Sequence, residues 1–527
     1  MLSRTFETIK LFTMIVRKNI VCLLVIMLLI TASTFAQKVI YSEPDREDNR
    51  STNFEVVGKL DGNNVIYKSY RDIHFIAVYN AQMAMVEKNK LDFLPDKIIN
   101  ADFLAYQDFF YMFYQYQRKN IVYSMAVKLN SKGKKVGEPM ELDTTDINFF
   151  ASNKLYSVIN SDDKKKIMTY KVNNKNDKNH IITTVLFNKN LEIIQKSVMG
   201  VPMPGRNDFL TDFQLDNDGD MVFVRAEGTT QNDNINRLSL FTKKATSNSI
   251  AFNDIKMTGL FLDGVTIKVD NYNKRYLVTS FYAKQRRGNI DGLFCHIWDK
   301  VQAKEVTTTN IIFNDELRAE ARGENSVKGA FNDYFLHNII MKQDGGFIIA
   351  AEAAYTSARG GANNSRWDMW NGSPYWGGGV GNGFYGFGNS FNTGFGNNWN
   401  RWNSFSNVTR YYADNIAVLS YDVNAKLEWS NIVNKSQYDD NSDNLLGYSL
   451  VNTGDQLHFL FNSQEKRNTF LTDQNISPEG QITRNPTLRN LDKGYEFMPR
   501  FAKQVAARQV IIPCQYRNYI CFAKIEL

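Results

Sequence analysis

The chain has 527 residues, of which 43% are hydrophobic and 22% are charged, and its formal net charge is +7. A chain of this length can bury a large core without cross-links, and four cysteines are too few for a fold held together by disulfides. The mild positive charge, without a basic stripe that carries interleaved aromatic residues, predicts that nucleic acid is not a partner.

The first elements of the chain predict export. Arg17 and Lys18 precede an apolar run over residues 20–30, and Thr34 and Ala36 supply the small residues of a cleavage site. We therefore expect a signal peptide over residues 1–36. An uncleaved membrane anchor is the alternative, but the apolar run is short for a span, so no transmembrane segment is expected after cleavage. Removal of four basic residues and one acidic residue leaves a mature chain with a net charge of +4. The expected location is periplasmic or associated with the outer membrane.

A short apolar strand followed by a turn-forming residue recurs along the mature chain, residues 37–527. The eight examples cover residues 75–80, 125–130, 183–188, 239–242, 294–299, 417–422, 469–473 and 521–526. Their closing residues are 50 to 58 positions apart, except for one step of 123 between Asp299 and Asp422. A period of this size, built from strands alone, is typical of a radial repeat fold.

Each repeat also contains an earlier hairpin. Asp-Gly turns stand between apolar runs at residues 61–62, 218–219 and 344–345, so each unit is interpreted as four strands. The chain ends directly after the third strand of its eighth repeat. Lys38–Tyr41 is expected to supply the missing fourth strand of that repeat and close the ring. The predicted fold is all-β, a β-propeller of about eight four-stranded blades. Seven blades are the alternative if the first or last unit is partial.

Residues 109–116 are apolar on both strand faces. An innermost strand packed between two neighbouring blades is expected to have this pattern, so the run is interpreted as blade core and not as an aromatic binding box. No helix-length segment with an apolar period of 3.6 residues stands out. Cys514 and Cys521 are expected to face each other across a two-residue turn, as a buried pair or, after oxidation, as a disulfide.

The residues with metal-binding or catalytic chemistry form no recognisable set. The five histidines are scattered over different repeats and are interpreted as strand or loop residues: His74, His180, His296, His337 and His458. Asp216, Asp218 and Asp220 surround Gly219, but a hairpin turn explains them better than a calcium loop. The chain shows no nucleophile elbow, phosphate loop or dinucleotide fingerprint. The sequence therefore assigns no catalytic residue, no metal ligand and no cofactor.

Residues 356–408 form a low-complexity insertion rich in glycine, asparagine and aromatic residues. Five of the seven tryptophans lie there, and no strand or helix period persists. In the four-strand interpretation, the insertion joins the second strand to the third strand of one blade. Exposed aromatic rings can stack on sugars or anchor a protein partner. The candidate binding residues are Trp367, Trp370, Tyr375, Trp376, Tyr385, Trp399, Arg401 and Trp402.

The hairpin with Asp422, Asn424, Lys426 and Trp429 resembles blades of bacterial propellers in the broad pyrroloquinoline-quinone-like and kelch-like groups. The resemblance extends over most of the mature chain in strand spacing. It does not include the paired glycines of kelch blades or quinone ligands, and it points to no characterised subfamily. It implies an exported bacterial β-propeller.

These observations predict a non-enzymatic binding or scaffolding propeller of the cell envelope, which recognises a protein or glycan partner. The alternative is an envelope polysaccharide hydrolase or lyase that draws its carboxylates from several loops. Glycosidase carboxylates need a defined separation in space and not in sequence. Two acidic side chains about 5–10 Å apart at the mouth of the central channel would favour the alternative.

Overall fold

The computed structural model describes residues 38–45, 52–148, 150–151, 153–176, 178–228, 234–322, 331–358, 408–440, 442–465, 468–484 and 494–527. The predicted signal peptide and all eight candidate binding residues lie outside these ranges. Within them, no helix is both long enough and apolar enough to cross a bilayer.

The described residues form antiparallel strands that group into four-stranded blades along the chain. The first strand and the first four blades consist of β1 (Lys38–Tyr41); β2 (Asn53–Leu60), β3 (Asn63–Tyr70), β4 (Ile73–Tyr79), β5 (Met85–Lys90); β6 (Asn100–Ala105), β7 (Phe109–Arg118), β8 (Ile121–Asn130), β9 (Lys135–Asp146); β10 (Ser157–Asn160), β11 (Lys166–Asn176), β12 (Asn179–Asn188), β13 (Ile193–Pro202); β14 (Asp208–Leu215), β15 (Met221–Gly228), β16 (Ile235–Lys243) and β17 (Ala251–Ile255).

The remaining blades follow in the same order. Their elements are β18 (Phe261–Leu262); β19 (Thr266–Asp270), β20 (Arg275–Ala283), β21 (Gly292–Asp299), β22 (Lys304–Ile312); helix α1 (Asp315–Ala321); β23 (Tyr334–Met341), β24 (Phe347–Ala358), β25 (Val408–Tyr421), β26 (Leu427–Val433), β27 (Gln437–Asp439); β28 (Tyr448–Asn452), β29 (Leu457–Glu465), β30 (Asn468–Ile476), β31 (Ile482–Arg484); β32 (Tyr495–Phe497), β33 (Lys503–Ala506), β34 (Gln509–Tyr516) and β35 (Tyr519–Glu526). The short β18 joins the fourth and fifth blades into one sheet.

The eighth blade is closed by the other end of the chain. Strand β1 pairs antiparallel with β35, with Lys38 opposite Glu526 and Tyr41 opposite Ala523. Strand β33 of the same blade lies beside β2 of the first blade. The predicted closure and the prediction of eight blades are confirmed, and the chain is a β-propeller.

The eight repeated segments predicted from the sequence are the third strands of the eight blades. Strand β7, which contains residues 109–116, is buried on both faces as predicted. However, it is the second strand of its blade, so its predicted place next to the axis is wrong. A second strand is enclosed by blades on both sides, whereas an innermost strand borders the central channel and can carry polar side chains.

The core lies between neighbouring blades. Val65 of the first blade, for example, shares an apolar cluster with Phe110 and Met112 of the second blade. Cys514 and Cys521 are directly opposite each other, as predicted, and lie as buried free thiols in the core of the last blade.

The two faces of the ring carry different connections. We call the face with the connections from second to third strands, and from each fourth strand to the next blade, the upper face. The tight hairpins between first and second strands lie on the lower face. Helix α1, which the sequence did not predict, is part of an upper-face connection and buries Leu317 and Ala321. Its seven residues are too few to show a clear 3.6-residue period.

Candidate functional site

Four charged side chains from neighbouring blades converge at the axis of the ring, and we call them the axial cluster. Glu55 lies on β2, Asp102 on β6 and Lys503 on β33, which are innermost strands of adjacent blades. Lys154 lies in the connection that enters the third blade before β10. Glu55 and Asp102 are each the third residue of a strand that starts at the upper face, whereas Lys503 pairs with Ile511 near the lower hairpin of its blade, so the cluster lies within the central channel.

Burial controls the protonation of the two carboxyl groups. Glu55 and Asp102 are each 6% exposed. Burial raises the pKa of Glu55 to about 8, and the negative charge of Asp102 adds to this effect, while Lys503 and Lys154 oppose it. Burial also raises the pKa of Asp102, against the influence of Lys154 and a hydrogen bond from Asn100. Glu55 therefore keeps its proton at neutral pH and can donate it.

The lysines of the axial cluster respond in the opposite direction. Burial lowers the pKa of Lys503, although the attraction of Glu55 partly restores it. Among the described residues, the side chains of Glu55, Lys154 and Lys503 make no hydrogen bond and no close ion pair. Three ionisable groups are thus gathered near one another without a direct protein partner in the described part of the chain.

Asp102 is held by a chain of amide side chains. Asn100 Nδ2 donates to Asp102 Oδ2 at 2.9 Å, and Gln115 Nε2 donates to Asn100 Oδ1 at 2.7 Å. Gln115 Oε1 accepts from the backbone N–H groups of Leu155 and Tyr156 at 3.0 and 2.9 Å. The same network therefore fixes Asp102 and the backbone next to Lys154.

A third buried carboxyl group near the axis has a structural role. Asp212 on β14 accepts hydrogen bonds from the backbone N–H of Ile267 and, at 2.7 Å, from Gln214 Nε2. Burial raises its pKa to about 7, although both hydrogen bonds favour the charged form. Its φ of 55° lies in the left-handed region that most non-glycine residues avoid. Since both oxygens are bonded, Asp212 ties the fourth blade to the fifth.

The Asp216–Gly219 region on the lower face is a hairpin turn, as predicted. Asp216 Oδ1 accepts from the backbone N–H groups of Asp218 and Asp220, both at 2.9 Å. The ammonium group of Lys300 lies 2.5, 2.6 and 3.0 Å from oxygens of Asp216, Asp218 and Asp220. We call these four residues the Lys300 cluster. Burial opposes the charge of Lys300, but the three carboxylates outweigh it and raise its pKa to about 12.

The histidines occupy separate strands in different blades, as predicted from their spacing. Three have neutral or acidic partners within their own blade, and these pairs are His74 with Tyr67 at 2.7 Å, His296 with Thr308 at 2.7 Å and His458 with Asp473 at 2.9 Å. Within the described ranges, no group of three or more metal-binding side chains comes together.

A second candidate region surrounds the ends of the insertion. Strands β24 and β25 remain paired beyond the rest of their blade, up to Ala358 opposite Val408. Strand β27 pairs with the outer part of β25, with Tyr412 opposite Tyr438. These segments, residues 355–358, 408–413 and Gln437–Asp439, form a three-stranded extension on the upper face that we call the ribbon. The paired strands continue three residues past Tyr355, so the ladder includes the first residues of the predicted insertion.

The foot of the ribbon is fixed by a buried ion pair. Lys435 Nζ lies 2.7 Å from Glu352 Oε1, and both side chains are fully buried. Lys435 Nζ also donates to the carbonyl oxygen of Ala413 at 2.7 Å and to Gln437 Oε1 at 3.0 Å. Gln437 Nε2 donates to the carbonyl oxygen of Asn462 in the next blade at 2.7 Å. The ribbon is therefore anchored to two blades.

The sides of the ribbon present aromatic rings. Tyr355 and Tyr412 stack with centroids 4.5 Å apart, and Tyr438 is 52% exposed. The guanidinium of Arg410 lies 4.5 Å from the centroid of Tyr438 and pairs with both carboxylate oxygens of Asp440. The structure thus places the ends of the insertion on an ordered aromatic support.

Sequence reasoning missed both the axial cluster and the ribbon support. Glu55 and Asp102 are single acids in short strands, and nothing in their spacing indicates that they meet. One usable signal was the polar character of the strands that begin each repeat, in contrast to the apolar second strands.

Comparison with known proteins finds no matching family model and no match among curated protein sequences. Solved structures similar to the chain include propeller-like proteins. A polysaccharide lyase, an ulvan lyase, is 9% identical with a TM-score of 0.36, over 80% of this chain and 90% of that chain. Prolyl oligopeptidase B from Galerina marginata is 9% identical with a TM-score of 0.38, over 89% of this chain and 56% of that chain.

A subtype N10 neuraminidase-like protein from a little yellow-shouldered bat source is 7% identical with a TM-score of 0.29, over 82% of this chain and 96% of that chain. The chain therefore spans little more than half the length of the peptidase. At these identities and TM-scores, the likenesses carry no argument about activity.

Proposed function

We propose that the protein is a non-enzymatic binding or scaffolding propeller of the bacterial cell envelope, and that its insertion recognises a protein or glycan partner. The observation that supports this proposal most directly is the ribbon. A fully buried ion pair costs desolvation energy unless it is well satisfied, and here it links Glu352 of the blade ladder to Lys435, which also donates to Ala413 of the ribbon. Such an anchor favours the presentation of the insertion at a fixed place.

The composition of the insertion fits a recognition role. Residues 356–408 combine five tryptophans with glycine and asparagine, and aromatic rings contribute large contact area in protein and glycan recognition. The charged and aromatic side chains of the ribbon, such as Arg410 and Tyr438, lie next to it. Loop-closure entropy grows slowly with length, so a blade can accommodate a long insertion at small cost.

The proposed location rests on the targeting segment. Residues 1–36 have the charged, apolar and small-residue regions of a signal peptide, which favours export to the periplasm or the outer membrane. The resemblance to exported bacterial propellers of the kelch-like and pyrroloquinoline-quinone-like groups supports the same location. N-terminal sequencing of the mature protein, with Gln37 expected as the first residue, tests this part of the proposal.

Replacement of residues 359–407 by a short Gly-Ser link tests the binding function. Because the link leaves the ribbon and blades intact, the melting temperature should change little, while binding to purified envelope glycan or to a cross-linked envelope partner should fall at least tenfold. Alanine at the five tryptophans of the insertion should reproduce most of this loss.

Tyr272→Ala is the matched control, since Tyr272 is an exposed aromatic residue on the lower face. A shortened protein that keeps its full binding would show that the insertion is not the recognition element. A shortened protein that fails to fold would show that the segment belongs to the core.

One observation favours the catalytic alternative, a polysaccharide hydrolase or lyase. Glu55 and Asp102 are two buried acids on adjacent innermost strands, and each affects the protonation of the axial cluster. Glycoside hydrolysis uses two acids, of which one donates a proton to the leaving oxygen and the other acts on water or the sugar.

Activity on a panel of acidic and neutral polysaccharides tests this alternative, with new reducing ends and unsaturated products as the two readouts. If the acids are catalytic, Glu55→Gln and Asp102→Asn should each lower the rate by about 10²–10⁴-fold. Equal rates in the wild type and both variants would exclude these residues from catalysis.

A further inference from the structure

We propose that the axial cluster is a binding site for the carboxylate-bearing unit of an acidic saccharide, in which Lys503 and Lys154 bind the carboxylate and Glu55 and Asp102 bind hydroxyl groups. This site is separate from the insertion and goes beyond the binding function proposed above. It requires no reaction, so it also stands apart from the catalytic alternative.

The first argument is the lack of protein partners for groups that are costly to bury. Glu55 is 6% exposed, yet its carboxyl group makes no hydrogen bond or close ion pair with a described residue. A ligand hydroxyl can therefore form a hydrogen bond to this carboxyl group without displacing a protein partner. In the Lys300 cluster, by comparison, every carboxylate has direct partners.

The second argument is the separation of opposite charges. Lys503 influences Glu55 electrostatically, and Lys154 influences both Glu55 and Asp102, but neither lysine makes a close ion pair with a described residue. Two half-buried ammonium groups therefore remain available for an anion at the axis. The central channel of a propeller gives such a ligand access to these groups.

The third argument concerns the class of anion. A phosphate carries nearly two charges at neutral pH and offers chiefly acceptor oxygens, so it would not donate hydrogen bonds to the carboxyl oxygens of Glu55 and Asp102. A sugar carboxylate carries one charge, and its hydroxyl groups can donate to Asp102 and accept the proton of Glu55. The mixed set of two acids and two ammonium groups thus favours an acidic saccharide over a phosphorylated ligand.

The fourth argument is preorganisation. Gln115 connects Asp102, through Asn100, to the backbone next to Lys154. A ligand that binds here does not need to order these residues first, which lowers the cost of binding. The side chains of Glu55, Lys154 and Lys503 are not part of this hydrogen-bond network and do not bond to one another.

Isothermal titration of the mature protein with trigalacturonate and with a hyaluronan tetrasaccharide tests the proposal. At least one of these probes should bind, and neutral maltotriose and inorganic phosphate should not. Lys503→Met and Lys154→Met should each weaken binding at least tenfold. Lys274→Met, on the lower face, is the matched control and should bind as the wild type does.

Lys154 lies in a surface connection, so its variant tests the site even if the Lys503 variant does not fold. The protein with residues 359–407 replaced by a Gly-Ser link should keep its affinity for the acidic probe, which separates this site from the insertion. Absence of binding to both acidic probes, equal binding of phosphate, loss of binding with the insertion, or unchanged binding in both lysine variants would each overturn the proposal.

Discussion

Two charged clusters, one at the lower face and one in the central channel, differ in how their charges are satisfied. On the lower face, Lys300 lies within 3.0 Å of three carboxylates, and Asp216 also accepts a hydrogen bond from Tyr276 Oη at 2.8 Å. In the channel, Glu55 and Lys503 are close enough to shift each other's pKa but make no direct pair.

The difference separates structural charge from charge that is available to a ligand. The Lys300 cluster connects the first hairpin of the fourth blade to the third strand of the fifth, so its role is to hold blades together. In the axial cluster, Asp102 accepts a hydrogen bond from Asn100, but the side chains of Glu55, Lys154 and Lys503 make no direct polar contact with a described residue. Charged groups kept in this way are typical of functional sites, where the partner is supplied from outside.

Lys300→Met should give the largest effect. The substitution leaves the buried carboxylates of Asp216 and Asp220 without their shared cation, and loss of one partner of a buried ion pair costs about 3–5 kcal/mol. Urea denaturation of the mature protein should show this decrease in the free energy of unfolding at pH 7. A loss below about 1 kcal/mol would mean that the Lys300 cluster is no more structural than an exposed pair.

Glu55→Gln should give an intermediate effect that depends on pH. The folded protein keeps the proton on Glu55 up to about pH 8, while the unfolded chain releases it near pH 4.5. Between these values the folded state holds more protons, so the free energy of unfolding of the wild type falls as pH rises, by at most about 1.4 kcal/mol per unit.

The glutamine variant lacks this titration. Its stability should match the wild type near pH 4.5 and exceed it by roughly 1–3 kcal/mol near pH 8. Denaturation curves measured at several pH values test the difference. Parallel pH profiles for the two proteins would show that Glu55 is not held in its protonated form, which would remove the contrast between the clusters.

Lys274→Ala should have the smallest effect. Lys274 Nζ lies 2.9 Å from Asp218, but the two side chains are 41% and 49% exposed, and exposed pairs contribute about 0–1 kcal/mol. This variant removes a lysine beside the Lys300 cluster without uncovering a buried carboxylate. If it destabilised the protein as much as Lys300→Met, burial would not be the property that distinguishes the two lysines.

Much of the architecture could be predicted from the sequence because its signals are local. Apolar alternation and Asp-Gly turns define the third strands and the hairpins. The eighth repeat lacks a fourth strand after its third one, and this predicted the pairing of β1 with β35. The turn at Gly219 and the facing positions of Cys514 and Cys521 followed from the same local rules. These features depend on residues that are neighbours along the chain or along one hairpin.

Neither the axial cluster nor the contacts of Lys300 could be predicted, because both depend on how separate blades are placed around the ring. Asp216 and Lys300, which meet at 2.5 Å, are 84 residues apart, and Glu55 and Lys503 come from opposite ends of the chain. The sequence also favoured the apolar β7 as an innermost strand, whereas the structure gives the innermost positions to strands with buried acids. Burial between blades favours apolar residues and the channel admits polar ones, and only the closed ring determines which strand borders which environment.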